Sequence, residues 1–235
     1  MDLQKWAENI NKITYNKWKK HYTKWRRGFE VFYSPVCENP PIMILTLNPG
    51  GSVKDFEKSS LYKQFQNDDF SLPKTNHYTN DHKMSKAVRK FLGKHIELLG
   101  KSVVMPVLFF RSKSTRQWNT EFCRLYSKKD QMNIESYCYE KVAEALEKIR
   151  PKSILVVGKS TLKLLIENET FLPITIEKIG YGKYGKSRQM DWCIARWKDI
   201  PIFCVRHLSR APPSNQSQEI VKQKFNDFLK INKIC

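Results

Sequence analysis

The chain has 235 residues and 40% hydrophobic content, enough to build the core of one large domain or two small ones. Lys and Arg number 42 against 23 Asp and Glu, a net charge of +19 that points to a polyanionic partner, DNA or RNA first, unless it only mirrors a codon bias toward Lys, Asn and Ile. Six scattered cysteines without C-x-x-C spacing exclude a cysteine-based zinc or iron–sulfur site, and no run approaches the ~20 apolar residues of a membrane span.

The N-terminus is polar and charged, which predicts no signal peptide and an intracellular, cytoplasmic protein with reduced thiols. From residue 3 to 29, Leu3, Trp6, Ile10, Ile13, Trp18, Tyr22, Trp25 and Phe29 recur at helical spacing, with Lys17, Lys19, Lys20, Lys24, Arg26 and Arg27 between them. This predicts a basic helical N-terminal extension whose Trp stripe packs on the domain. A short strand is expected over Phe29–Tyr33 and a stronger one over Ile42–Leu47. The chain then reads as polar and irregular to about Asp81, and a helix is expected from Ser85 to Leu99. Val103–Phe110 reads as a strand covered on both faces, with Pro106 marking a bulge. Residues 111 to 134 read as a long basic loop, followed by a helix over Ile134–Ile149. A strand follows over Lys152–Gly158, and Thr161–Ile166 opens a helix. Gly180–Lys186 reads as a hairpin or a phosphate clamp. The last strand is Ile200–Val205 and the last helix Ile220–Ile231.

Strands alternating with helices predict one α/β domain spanning 1–235. Its fold class is a three-layer αβα arrangement around a central, mostly parallel four- to five-stranded sheet. Ligands in such sheets bind beyond the carboxyl ends of the strands. Two segments at that position look chemical: Leu45-Thr46-Leu47-Asn48-Pro49-Gly50-Gly51-Ser52, and Arg206-His207-Leu208-Ser209-Arg210-Ala211-Pro212-Pro213. In the first, a neutral amide sits on a stiff turn, suited to holding a water or a base. In the second, an imidazole can donate to a carbonyl oxygen, while backbone amides and a hydroxyl can grip phosphate. Gly158-Lys159-Ser160-Thr161 is not a P-loop, because the position of the first required glycine is Ser153. No metal site and no cofactor are signalled.

An apolar strand ending in L-N-P-G, followed near the C-terminus by a strand ending in H-x-S and a Pro-containing loop, resembles the uracil-DNA glycosylase superfamily. The N-P-G pattern is similar to the mismatch-specific and single-strand-selective branches. The segment Arg150-Pro151-Lys152-Ser153-Ile154-Leu155-Val156-Val157-Gly158 is also similar to a strand between the two motifs. The resemblance covers roughly residues 42 to 229, thinly between motifs. It implies a monofunctional DNA N-glycosylase that flips a nucleotide out of the duplex. Asn48 would orient the attacking water, and His207 would stabilise negative charge on the departing base. Pro49, Gly50, Gly51 and Ser52 would let backbone approach the nucleotide. Ser209 would hold a flanking phosphate, and Arg210 through Pro213, Pro212 included, would fill the hole left in the stack. Phe56 is the expected stacking partner of the base, with Phe65 and Phe70 as alternatives, and Arg111 is an expected DNA contact.

The chain departs from the family pattern in three places. Leu208 replaces the usual Pro after the histidine. No Asn ends the strand around Phe109-Phe110-Arg111-Ser112. Gly51 stands where the uracil-specific branch carries a bulky Tyr. The last departure leads to the expectation of a roomy pocket for a deaminated or modified pyrimidine. Some bacterial superfamily members act on hypermodified phage cytosines as antiviral defence, and that role is implied as one option beside uracil or thymine-mismatch repair. The expected partner is DNA, single- or double-stranded, with no membrane and no obligate protein partner, the chain acting as a monomer. A non-catalytic nucleic-acid-binding member of the same fold, and a nucleoside hydrolase or transferase on a similar fold, are the competing classes.

Overall fold

The computed structural model describes residues 2–184 and 187–234. In chain order it contains α1 (Leu3–His21), β1 (Met43–Thr46), α2 (Val53–Glu57), α3 (Ser60–Gln66), α4 (Lys83–Leu92), β2 (Val103–Pro106), α5 (Thr115–Gln117), α6 (Cys123–Leu125) and α7 (Lys128–Ile149). It continues with β3 (Ile154–Val157), α8 (Lys159–Ile166), β4 (Ile174–Tyr184), β5 (Ser187–Trp197), β6 (Ile200–Val205) and α9 (Asn215–Ile231). Short 3-10 runs cover His77–Thr79 and Gly93–Lys101, and a π-helical turn covers Trp118–Phe122.

One six-stranded sheet runs in the order β2-β1-β3-β6-β5-β4. The first four strands are parallel. β1, β2 and β3 read Met-Ile-Leu-Thr, Val-Val-Met-Pro and Ile-Leu-Val-Val and are buried at every residue, as strands covered on both faces must be. β5 joins β6 antiparallel, and β4 closes the edge as a hairpin partner of β5. Alternate residues feed two apolar layers. Met43, Leu45, Val103 and Val156 pack with α1, α7 and α8, while Ile44, Val104, Leu155 and Phe203 pack with α4 and α9. Helices therefore cover both faces of a mostly parallel sheet, as expected for three αβα layers. The sheet has six strands rather than four or five. The extra pair, β4 and β5, carries no continuous apolar run because most of β4 lies exposed at the edge.

Several boundaries moved for identifiable reasons. The expected strand at Phe29–Tyr33 is only an isolated bridge, Phe29 with Phe110. The segment instead covers the open edge of β2: the Tyr33 N–H donates to the Val104 carbonyl, and the Ser34 hydroxyl accepts from the Val104 N–H. The Ser85–Leu99 helix breaks at Gly93, which sits at φ +54°. The stretch read as irregular after Ser52 holds α2 and α3, and the basic loop from 111 holds helical turns. α7 begins six residues earlier than expected, at a capping box between Ser127 and Asp130. The Gly180–Lys186 loop is mostly the end of β4; Gly185 and Lys186 lie outside the described residues.

The N-terminal Trp stripe is core. Trp6, Ile10 and Trp18 are buried, and Trp18 and Tyr15 join Phe29, Phe56, Phe65 and Phe70 in one aromatic cluster. Burying one Phe in such a cluster stabilises the fold by roughly 1.5–3 kcal/mol. α1 is thereby pinned to the layer beneath the sheet. No helix among the described residues is long and apolar enough to cross a membrane.

Candidate functional site

Thr46, Val157 and Val205 share one rung of the sheet, so the turns after β1, β3 and β6 emerge at the same edge. Adjacent strands lie ~4.8 Å apart, which puts the ends of β1 and β6 roughly 10 Å from each other across β3. Asn48 follows Thr46 by two residues, and His207 follows Val205 by two. Gly158, at φ +112°, fills the interval. A Cβ built there would sit 4.0 Å from the His207 ring and 3.2 Å from the Thr161 hydroxyl. That hydroxyl donates to the Val157 carbonyl and is buried, so the Gly-Lys-Ser-Thr stretch serves strand-to-helix packing.

Asn48 is half-buried and its amide is fixed. Nδ2 donates to the Pro49 carbonyl and to the Ser112 carbonyl, each at 2.7 Å. The reverse amide would set oxygen against two carbonyl oxygens. Oδ1 is thus left to accept a hydrogen bond from outside the turn. Ser112 also donates its N–H to Pro49, which ties the segment after Phe110 to the Asn48 turn.

His207 is fixed just as firmly. Its Nδ1 accepts the N–H of Arg210 at 3.1 Å and that of Ser209 at 3.3 Å. Nδ1 is therefore unprotonated, and Nε2 carries the proton as a donor. Burial, and then the Arg210 charge, hold the imidazole pKa below its ordinary 6.5. The Arg210 guanidinium reaches across to the Lys113 carbonyl. Asn48, Ser112, Lys113, Arg210 and His207 thus form one continuous hydrogen-bonded rim. Ser209 is half-buried, with Arg210 and Pro212 exposed beside it.

Other expected site residues have different work. Phe56 is 1% exposed, and its ring lies against Gly28, Trp18 and the Arg111 guanidinium, so it offers no face to a base. Phe65 is equally buried, and Phe70 packs on Phe65 and Tyr15. Gly51 does not open the pocket. It sits at φ +111°, and a Cβ there would lie 2.9 Å from Arg111 Nη1, so guanidinium fills the space that a side chain would take. Gly50 does face open space. Ser52 caps α2 in a reciprocal pair with Asp55, which consumes its N–H and hydroxyl.

Arg111 is a wall between the Asn48 turn and a separate cavity. It donates to the Gly50 carbonyl at 3.1 Å and to Glu30 Oε2 at 2.6 Å. Glu30 Oε1 faces His77 Nδ1 at 3.3 Å. Sequence reasoning missed Glu30 and His77, which sit in unremarkable local contexts; only the fold brings them to Arg111. Burial pushes the Glu30 carboxyl up to about 7, against the pull of Arg111. Burial, and then Arg111, lower the His77 pKa. Beside this trio lies a cavity of about 460 Å3 lined by polar groups such as Ser59, Gln64 and Asn80 and by the apolar Leu61, Leu72 and Pro73. Arg111 Nε, in this lining, is buried without a hydrogen-bond partner among the described residues. Such groups cost stability unless a ligand satisfies them. No cluster of His, Cys, Asp and Glu able to hold a metal occurs among the described residues. No family model matches the chain and no curated protein matches it, so the chemistry available to this site rests on its own residues.

Proposed function

We propose that the chain is a monofunctional DNA glycosylase that hydrolyses the N-glycosidic bond of a flipped, deaminated or modified pyrimidine. The observation that carries this reading is the fixed and opposite polarity of two side chains on one sheet edge. Asn48 presents an acceptor, and His207 presents a donor from a neutral ring. Glycosidic cleavage needs that pair: an acceptor to orient water at the sugar, and a donor to the oxygen of a base leaving as an anion. An amide deprotonates water poorly, so Asn48 positions the nucleophile and the site favours bases that depart easily. The net charge of +19 suits a polyanionic substrate. A hypermodified phage cytosine as the excised base would make the role antiviral; excision of uracil or mismatched thymine is the repair alternative.

The test is excision from DNA bearing uracil, mismatched thymine, 5-hydroxymethylcytosine or glucosylated cytosine, scored as strand breaks after alkali. Breaks at one of these bases are expected. Tight DNA binding with no abasic site on any substrate would leave a non-catalytic binder instead. Asn48→Ala should abolish cleavage and spare most DNA affinity.

A further inference from the structure

β5 pairs with β6 only as far as Trp192, opposite Val205. Residues 187–191 of β5, with 181–184 of β4, continue beyond that last rung, Asp191 being the extra residue of a bulge. At ~3.3 Å per residue these four rungs extend roughly 13 Å past the end of β6. Because β5 runs antiparallel to β6, this overhang projects from the edge that carries Asn48 and His207. The ribbon is tied to the chain around the His207 loop both at its root and near its far end. The Arg206 N–H donates to the Asp191 carbonyl, and the Arg206 guanidinium lies 4.0 Å over the Tyr184 ring. The Tyr184 hydroxyl donates to Asp191 and accepts from the Ser214 N–H.

The two faces of the ribbon differ. Tyr184, Gly182 and Gly180 face α9, where a Cβ on either glycine would collide with Asp191 or Trp192. The opposite face carries Tyr181, Lys183 and Arg188. Lys183 and Arg188 are cross-strand partners, and the Arg188 guanidinium lies 5.5 Å over the Tyr181 ring. Tyr181 is 54% exposed, so its ring is accessible to a base. A ring with a planar cation on it, flanked by a second cation, is the chemistry that stacks on a nucleobase and contacts the adjoining phosphates.

We propose that this ribbon is a second nucleic-acid contact, engaging the DNA strand next to the flipped nucleotide through Tyr181, Lys183 and Arg188. The proposal rests on the DNA-glycosylase reading of the same edge. Charge complementarity selects DNA as the occupant. A second copy of this equally basic chain pairing along β4 would bring like charges together.

The test compares two doubly substituted chains of equal net charge, binding a fluorescein-labelled duplex and its single strand. Lys183→Glu/Arg188→Glu alters the ribbon, while Lys101→Glu/Lys152→Glu alters exposed lysines just before β2 and β3, at the opposite end of the sheet. The ribbon variant should bind about tenfold more weakly than the control variant, and its log–log salt slope should fall by about 2. Tyr181→Ala, at an exposed position that should not disturb folding, should weaken binding about fivefold. The excision rate should be unchanged in the Lys101→Glu/Lys152→Glu control. Equal affinities for the two double variants, with the wild type binding DNA, would overturn the ribbon contact and leave the glycosylase reading standing. A wild type that binds neither probe would overturn both. Concentration-dependent dimerisation abolished by Tyr181→Ala would assign the ribbon to a copy of the chain and also overturn the proposal.

Discussion

At the scale of single residues, the site depends on hydrogen bonds that leave one atom of each key side chain unused. His207→Ala removes the donor and should lower the excision rate by about 100-fold or more, with little change in DNA affinity, as read in single-turnover kinetics. The pH dependence follows from the same bonds. The folded pKa of His207 lies below 6.5, so the neutral donor persists through neutral pH. Activity should hold as pH falls through 6.5 and decline only below it. There the ring gains a proton on Nδ1 and can no longer accept from Ser209 and Arg210. A decline beginning well above 6.5 would contradict this tautomer. Gly51 makes a separate prediction. Gly51→Ala meets both a positive φ and the Arg111 guanidinium, and should cost about 1–3 kcal/mol in denaturant unfolding. A neutral result would mean that the turn relaxes freely. The motif at 48–52 was legible in sequence as a stiff turn with a free amide, but the work of its second glycine was not. A glycine required by an arginine sixty residues away looks identical in sequence to one that leaves space empty.

At the scale of elements, the carboxyl ends of β1 and β6 bring the two motifs together, and the edge-covering segment 29–34 brings Glu30 to Arg111. Glu30 is buried, and its folded value of about 7 lies above its ordinary 4.5. A raised carboxyl contributes stability that is complete below pH 4.5 and lost as pH rises through 7. Arg111, His77, Tyr33 and Tyr78 surround it. Unfolding free energy should therefore fall between pH 4.5 and 7, by no more than about 1.4 kcal/mol per pH unit from this group. Glu30→Gln should flatten that slope; an unchanged slope would place its source elsewhere. Elements with a strong internal pattern were readable in advance. β1, β3 and β6 are continuous apolar runs, and α1 carries a Trp stripe at helical spacing. Of β4 and β5 only the hairpin at 180–186 was read, and not the two strands as sheet members, because one face of the hairpin is wet, two glycines interrupt β4, and its pairing is settled by β6. The start of α7 was missed although Ser127 and Asp130 spell a capping box.

At the scale of the whole molecule, the excess of 19 positive charges makes a prediction that needs no single residue. DNA affinity should fall steeply and linearly on a log–log salt plot, with a slope near −0.9 per phosphate neutralised; a flat dependence would remove DNA as the partner. The sequence by itself determined the layered α/β architecture, since runs of β-branched and aliphatic residues alternating with amphipathic helices admit few other solutions. It also determined the charge and the two loop motifs, because these are written locally. Only the tertiary structure decided what each motif residue is free to do. It took Phe56 into the core, spent Ser52 on a helix cap, set Arg111 against Glu30, and left one polar atom each of Asn48 and His207 unengaged at one sheet edge. Those outcomes depend on partners distant in sequence, and hydrogen-bond occupancy is a property of neighbours in space.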